Sequence, residues 1–316
     1  MERVVFFGSP AFALASLEAL AASEFKPVLV VTQPDRPAGR GKKVTPTPVR
    51  ELAARKGIPV TILDSFKGGA AMDELRAAAP DFLVVVSFGK IFPPEALAVA
   101  KRANINLHAS LLPRYRGASP INRAIASGDC FTGVTTMEMA EALDAGPMYL
   151  QKIVPIDPME NAGTLSERLA AEGAPLLLET LRRVSAEGLR PVPQPEEGIV
   201  KAPLLRKADG LVPWELDALG VHNHIRGMNP WPGSFSYYRG AYLKIHEAEP
   251  WELVPRSKTP GLILEAKGET IVVACGKGSV RLLALQAEGK RPLEAGAFLR
   301  GFPLEGGEVL GGRIDR

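Results

Sequence analysis

The chain has 316 residues, of which 46% are hydrophobic and 23% charged, and its formal net charge is +3. The length predicts two domains, and the composition is that of a globular protein. No apolar run approaches the roughly 20 residues that span a bilayer, and MERVVFFGSP is too short and wrongly laid out for a secretion signal; a cytoplasmic protein without a membrane partner is expected.

Cys130 and Cys275 stand alone, with no CxxC pair and no His-rich spacing, so neither a disulfide framework nor a metal site is expected. The charge is unevenly placed. Residues 33–50 carry Arg36, Arg40, Lys42, Lys43 and Arg50 against Asp35 alone, and residues 201–316 carry 16 basic against 13 acidic side chains. The remainder is net acidic, with 17 basic against 21 acidic. Two basic regions on an acidic body point to a polyanion touched in two places, although a solvated loop gives the same count.

RVVFFGSPAFALASLEAL reads as strand, turn and helix, with Pro10 near the helix start. The single Gly8 is not a GxGxxG fingerprint, so no dinucleotide site is expected. PVLVVTQ is a second strand, and the crossover predicts a parallel sheet. The loop 33–50 follows, rich in proline and without hydrophobic period; loops of this length in compact domains are usually functional or disordered. VRELAARKG is a helix ended by Gly57, and AAMDELRAAAP another, stopped by Pro80. DFLVVVSFG is a continuous apolar strand, the pattern of burial on both faces. Its exit, Ser87–Pro93, lies at a strand's carboxyl end, where open α/β sheets collect ligands.

NINLH is the next strand. Side chains two apart share a face, so Asn106 and His108 project together, with Ile105 and Leu107 opposite. An amide donor beside an imidazole suits acyl-type transfer, in which the amide meets a developing oxyanion and the imidazole donates or relays a proton. Polar residues at a strand end also serve as plain caps. Ser110 offers a second nucleophile reading, but SLLP has no strained GxSxG elbow. INRAIASG is a helix ended by Gly128, and FTGVTTMEM and MYLQKIVPI are strands around an Asp144-Ala-Gly146 turn, where an aspartate is by itself an ordinary turn former. Thr164 and Glu167 have capping-box spacing at the start of a long helix. Residues 190–205 read as a proline-rich linker. Beyond a helix containing His222 and His224, whose spacing is not that of zinc ligands on a helix, five short strands and a closing AFLRG segment suggest a small OB-like barrel.

The ordered set Asn106, His108, Ser110–Pro113, Arg116–Gly117 and the later LDAG with Asp144 resembles the folate-dependent formyltransferases. VTQPDRPAGRGKK and HNHIRGMNPWPGSF resemble the members of that family that act on methionyl-tRNA, and the resemblance covers nearly the whole chain. It implies an α/β protein: a Rossmann-like, open, mostly parallel catalytic domain over 1–189, a linker at 190–205, and a C-terminal OB-like tRNA-binding barrel over 206–316. It implies 10-formyltetrahydrofolate as co-substrate, no metal, initiator methionyl-tRNA as partner, and a monomer. By the same resemblance Asn106, His108 and Asp144 are catalytic; Ser110, Leu111, Leu112, Pro113, Phe88, Gly89 and Ile91 contact the folate; and Arg36, Arg40, Lys42 and Lys43 meet the tRNA acceptor end. Formylation of a small amine, such as a sugar nucleotide or purine precursor, and a non-catalytic RNA-binding role are the alternatives.

Overall fold

The computed structural model describes residues 2–38, 43–66, 69–251 and 259–311. The chain forms two compact units. One comprises residues 1–120, 131–155 and 166–203, and the other 121–130, 156–165 and 204–316.

The first unit is built on a seven-stranded sheet. Its elements begin with β1 (Val4–Gly8), α1 (Leu14–Ala21), β2 (Pro27–Thr32), the short β3 (Arg36–Ala38) and β4 (Lys43–Thr45), α2 (Pro48–Arg55) and β5 (Val60–Ile62). They continue with α3 (Ala70–Ala77), β6 (Phe82–Val86), α4 (Pro94–Leu97), β7 (Ala103–His108), β8 (Phe131–Glu138), β9 (Met148–Pro155) and, from Ser166 on, α6 (Ala162–Ala186), whereas α5 (Pro120–Ala126) belongs beyond Pro120 to the second unit. The sheet order is β5-β2-β1-β6-β7-β8-β9. The first five strands are parallel, and β8 and β9 add antiparallel at one edge. VVFFG and FLVVV are buried at every position, as central parallel strands covered on both faces must be. The strand order reverses at the β1–β6 boundary, and open α/β sheets bind ligands at the carboxyl ends beside such a switch point. A Cβ on Gly8 would lie 2.9 Å from the Ala13 Cβ and 3.1 Å from the Val86 carbonyl, so only glycine fits that turn.

Helix α6 starts earlier than the Thr164 cap predicts. Asn161 Oδ1 accepts from the Gly163 and Thr164 amides at 2.8 and 3.0 Å, and Thr164 Oγ1 in return accepts from the Asn161 amide at 3.2 Å. Thr164 is therefore the reciprocal member of the box rather than its cap. The stretch read as a linker is bonded along the first unit as far as residue 203: Val192 exchanges both backbone hydrogen bonds with Met148, and Arg116 bonds the backbone of Val200 and Ala202.

The second unit contains α7 (Ala218–Met228), β10 (Ser234–Tyr238), β11 (Ala241–Trp251), β12 (Ile263–Lys267), β13 (Thr270–Ala274), β14 (Ser279–Ala287), β15 (Leu293–Glu294) and α8 (Ala295–Gly301). The antiparallel sheet runs β10-β11-β14-β13-β12. Residues 309–311 join its two ends, because Gly311 pairs with Tyr237 and Val309 with Leu262, so the sheet closes into a barrel. Its core packs Val221 and Ile225 of α7 against Leu243, Ile245, Val273 and Leu282. Among the described residues no helix is long and apolar enough to cross a membrane.

Candidate active site

Strand β7 alternates as its sequence implies. Ile105 and Leu107 are fully enclosed, Leu107 lying against Gly173 of α6, while Asn106 is partly exposed on the other face. Backbone pairing sets Asn106 between Val85 and Met137, and His108 opposite Thr135.

His108 is 7% exposed. Its Nε2 lies 3.0 Å from the Tyr115 carbonyl, and a carbonyl only accepts, so Nε2 carries the hydrogen. That leaves Nδ1 facing Asp144 Oδ2 at 3.7 Å. Asp144 is 8% exposed, and its Oδ2 accepts from the Gly117 amide at 2.8 Å. A neutral ring would aim its Nδ1 lone pair at a carboxylate in a poorly solvated place, whereas an imidazolium aims an N–H there. Among the described residues the Asn106 amide has no hydrogen-bond partner, and it stands two residues from His108 on the same side of the strand.

Three loop residues around this pair occupy left-handed backbone conformations: Tyr115 (φ 60°), Gly117 (φ 128°) and Asp144 (φ 50°). Left-handed backbone costs a bulky residue about 1–2 kcal/mol, so Tyr115 is held there by its surroundings. The surroundings are a hydrogen-bond net. Thr135 Oγ1 donates to the Ser110 carbonyl at 2.6 Å and accepts from the Leu112 amide at 3.2 Å, and Gln151 Nε2 donates to the Leu112 carbonyl at 2.9 Å. Gln194 accepts from Arg116 Nε and Nη2 at 2.9 and 2.7 Å and donates to the Asp144 and Gly146 carbonyls at 2.8 and 2.7 Å. A Cβ on Gly146 would fall 1.8 Å from the Glu138 carbonyl, so this turn cannot accept another residue without moving. Glu138 itself accepts from the Asn104 amide at 2.8 Å and the Tyr149 hydroxyl at 2.5 Å, and burial pushes its carboxyl above the ordinary range.

The predicted folate residues divide. Ser110 is buried with its hydroxyl donating to the Arg114 carbonyl at 2.6 Å, which leaves it no nucleophile role. Leu112 is buried, and Leu111 and Pro113 are partly exposed. The Phe88 ring belongs to the core, packed edge-on to Phe7 at 5.2 Å, so only its backbone can meet a ligand; the Gln33 amide donates to its carbonyl. Gly89 and Ile91 are exposed, Ile91 at 76%. Of the predicted tRNA residues, Arg40 and Lys42 lie outside the described residues, and Arg36 and Lys43 are described as backbone only, paired across β3 and β4. The sequence reading missed Gln194, Thr135 and Gln151. A glutamine in a proline-rich stretch carries no periodic signal, and neither does a strand residue whose hydroxyl serves a loop.

Two family models match the chain: formyl transferase over residues 2–181, and formyl transferase C-terminal domain over 204–303. The methionyl-tRNA formyltransferase of Aromatoleum aromaticum is 48% identical, covering 97% of this chain and 96% of that protein. That of Magnetococcus marinus is 44% identical, with 98% of each covered. Among solved structures, HypX from Aquifex aeolicus in complex with tetrahydrofolic acid superposes with a TM-score of 0.61 at 20% identity, over all of this chain and 51% of that one. An N-formyltransferase from Helicobacter canadensis, in complex with folinic acid and dTDP-3-aminofucose, superposes at 0.66 and 18% identity, over 91% and 100%. These two share the fold.

Proposed function

The chain belongs to the methionyl-tRNA formyltransferase family, and from that premise we propose how its residues move a formyl group from 10-formyltetrahydrofolate to the α-amino group of methionyl-tRNA. The observation that carries the proposal is the buried His108–Asp144 pair beside an Asn106 amide with no partner among the described residues.

A free α-amino group has a pKa of about 7.7–8.0, so a useful neutral fraction exists near pH 7. Its nitrogen bonds to the formyl carbon, and the carbonyl electron pair moves to oxygen. Asn106 donates to that oxyanion, and the His108 imidazolium lowers its charge. Asp144 faces the His108 ring and, directly or through water, accepts the proton that the attacking nitrogen must lose. Cleavage of the bond to N10 then needs one proton, which His108 supplies. One proton leaves the acceptor nitrogen and one reaches the leaving nitrogen, so no net acid or base is consumed.

The folate pterin sits at the carboxyl ends of β1 and β6, against Gly89, Ile91, Leu111 and Pro113 and the backbone of Phe88, Ser110 and Leu112. The acceptor is initiator methionyl-tRNA, met by Arg36, Arg40, Lys42 and Lys43. A groove of about 740 Å³ in the second unit, lined by Phe235, Tyr237, Tyr242, Lys207 and Lys244, offers the aromatic and cationic surface that RNA uses. The protein works as a cytoplasmic monomer, checked by sedimentation at the mass of one chain.

The test is transfer from 10-formyltetrahydrofolate with charged initiator methionyl-tRNA, free methionine and an amino sugar nucleotide as competing acceptors. Formyl-methionyl-tRNA as sole product is expected. Formylation of only a small amine would overturn the acceptor.

A further inference from the structure

The side chain of Gln194 uses its whole hydrogen-bonding capacity inside the site just described. Guanidinium groups only donate and carbonyls only accept, so the orientation of this amide is unambiguous: Oε1 faces Arg116, and both Nε2 hydrogens go to the carbonyls of Asp144 and Gly146. The segment bearing it is pinned on both sides. Val192 is paired with Met148 before it, and Val200 and Ala202 bond the backbone of Arg116 after it. Arg116 stands between Tyr115, whose carbonyl accepts from His108, and Gly117, whose amide donates to Asp144. Gln194 therefore ties the loop that orients the imidazole to the loop that presents the carboxylate.

We propose that Gln194 is a positioning residue that sets Asp144 against His108, and that residues 192–202 act as a strap across both catalytic loops. The proposal rests on the reading of Asp144 as part of the catalytic group. Asp144 is in a left-handed conformation, and its side chain is met by the Gly117 amide and the His108 ring, so its place depends on the backbone that Gln194 holds. Glutamate at 194 keeps the acceptor for Arg116 but has no hydrogen for either carbonyl. Methionine keeps the length and loses both functions.

The experiment is steady-state kinetics of the full chain as Gln194→Ala, Gln194→Glu and Gln194→Met, each also in an Asp144→Asn background. Misplacing a catalytic group by about 1 Å costs on the order of 100-fold, so each single variant is expected to lose about 10- to 100-fold in kcat. KM for both substrates and the melting temperature should stay close to the parent. In the Asp144→Asn background the same changes should cost no more than about twofold, because the group they position has lost its charge. Losses that multiply in that background, or full kcat in Gln194→Glu, would overturn the positioning role. An impaired Asp144→Asn beside a normal Gln194→Ala would overturn it alone, whereas a normal Asp144→Asn would overturn the catalytic reading and this proposal together.

Discussion

His108 and Asn106 occupy opposite electrostatic situations although only Leu107 separates them. His108 is enclosed, with one ring nitrogen committed to a carbonyl and the other facing a carboxylate. Asn106 is partly exposed and unbonded among the described residues, the state of a donor kept for a ligand. Losing a general acid costs on the order of 10²–10⁴ in rate, and losing one oxyanion donor on the order of 10²–10³. His108→Ala should therefore lower kcat by about 10²–10⁴ and Asn106→Ala by about 10²–10³, with KM for methionyl-tRNA little changed in initial-rate assays. Normal turnover in either variant removes that residue from the mechanism.

At the scale of elements, β3 and β4 pair antiparallel within the basic stretch 33–50, in register from Arg36 with Thr45 to Ala38 with Lys43. Phosphate contacts make RNA affinity fall with salt, with a slope of about 0.7–0.9 per contact. Charge reversal of Arg40 and Lys42 should raise KM for methionyl-tRNA, flatten its salt dependence by roughly one to two units, and leave KM for the folate unchanged. Helix α7 carries a different kind of titrating group. Burial pushes the His224 imidazole from its ordinary 6.5 down to about 4. Below pH 6.5 the unfolded chain takes up a proton that the folded chain refuses until about pH 4. Its contribution is thus fully present above pH 6.5 and is lost as pH falls to about 4, up to about 3 kcal/mol. Urea titrations should show a shallower acid-side loss of stability for His224→Gln than for the parent over that interval; identical slopes would mean the ring is not held neutral.

For the whole molecule, the second unit is not a contiguous stretch of chain. Residues 121–130 and 156–165 belong to it. Within that unit Asn122 Nδ2 donates to the Gly227 carbonyl at 2.8 Å, and Arg226 Nη1 donates to the carbonyls of Asp157 and Glu160 at 3.1 and 3.0 Å. A fragment of residues 204–316 keeps the closed barrel and loses these partners of α7. Each buried group left unpaired costs about 1–3 kcal/mol. The fragment should melt earlier than the second transition of the full chain, with α7 amides exchanging fastest. Equal stability would show that the two intervening segments contribute nothing.

Periodicity and turn chemistry were enough to read most elements in order. Continuous apolar runs mark β1 and β6 because central parallel strands are covered twice, and alternation sets Asn106 and His108 on one face. The five barrel strands were legible for the same local reason, as was the family, through motifs whose order survives in the linear chain. What tertiary structure alone decided is which distant groups meet. Asp144 stands 36 residues from His108 in sequence, and nothing local distinguishes it from a turn former. The Phe88 ring enters the core because β6 delivers it to Phe7. Gln194 serves the site from a stretch without period, and residues 121–130 and 156–165 join a unit that otherwise begins at residue 204. Secondary structure is dictated by neighbours a few residues apart, and sequence carries that information directly; a buried histidine–carboxylate contact and a strap of hydrogen bonds are dictated by partners tens of residues away, and they exist only once the sheet has brought its loops to the same end.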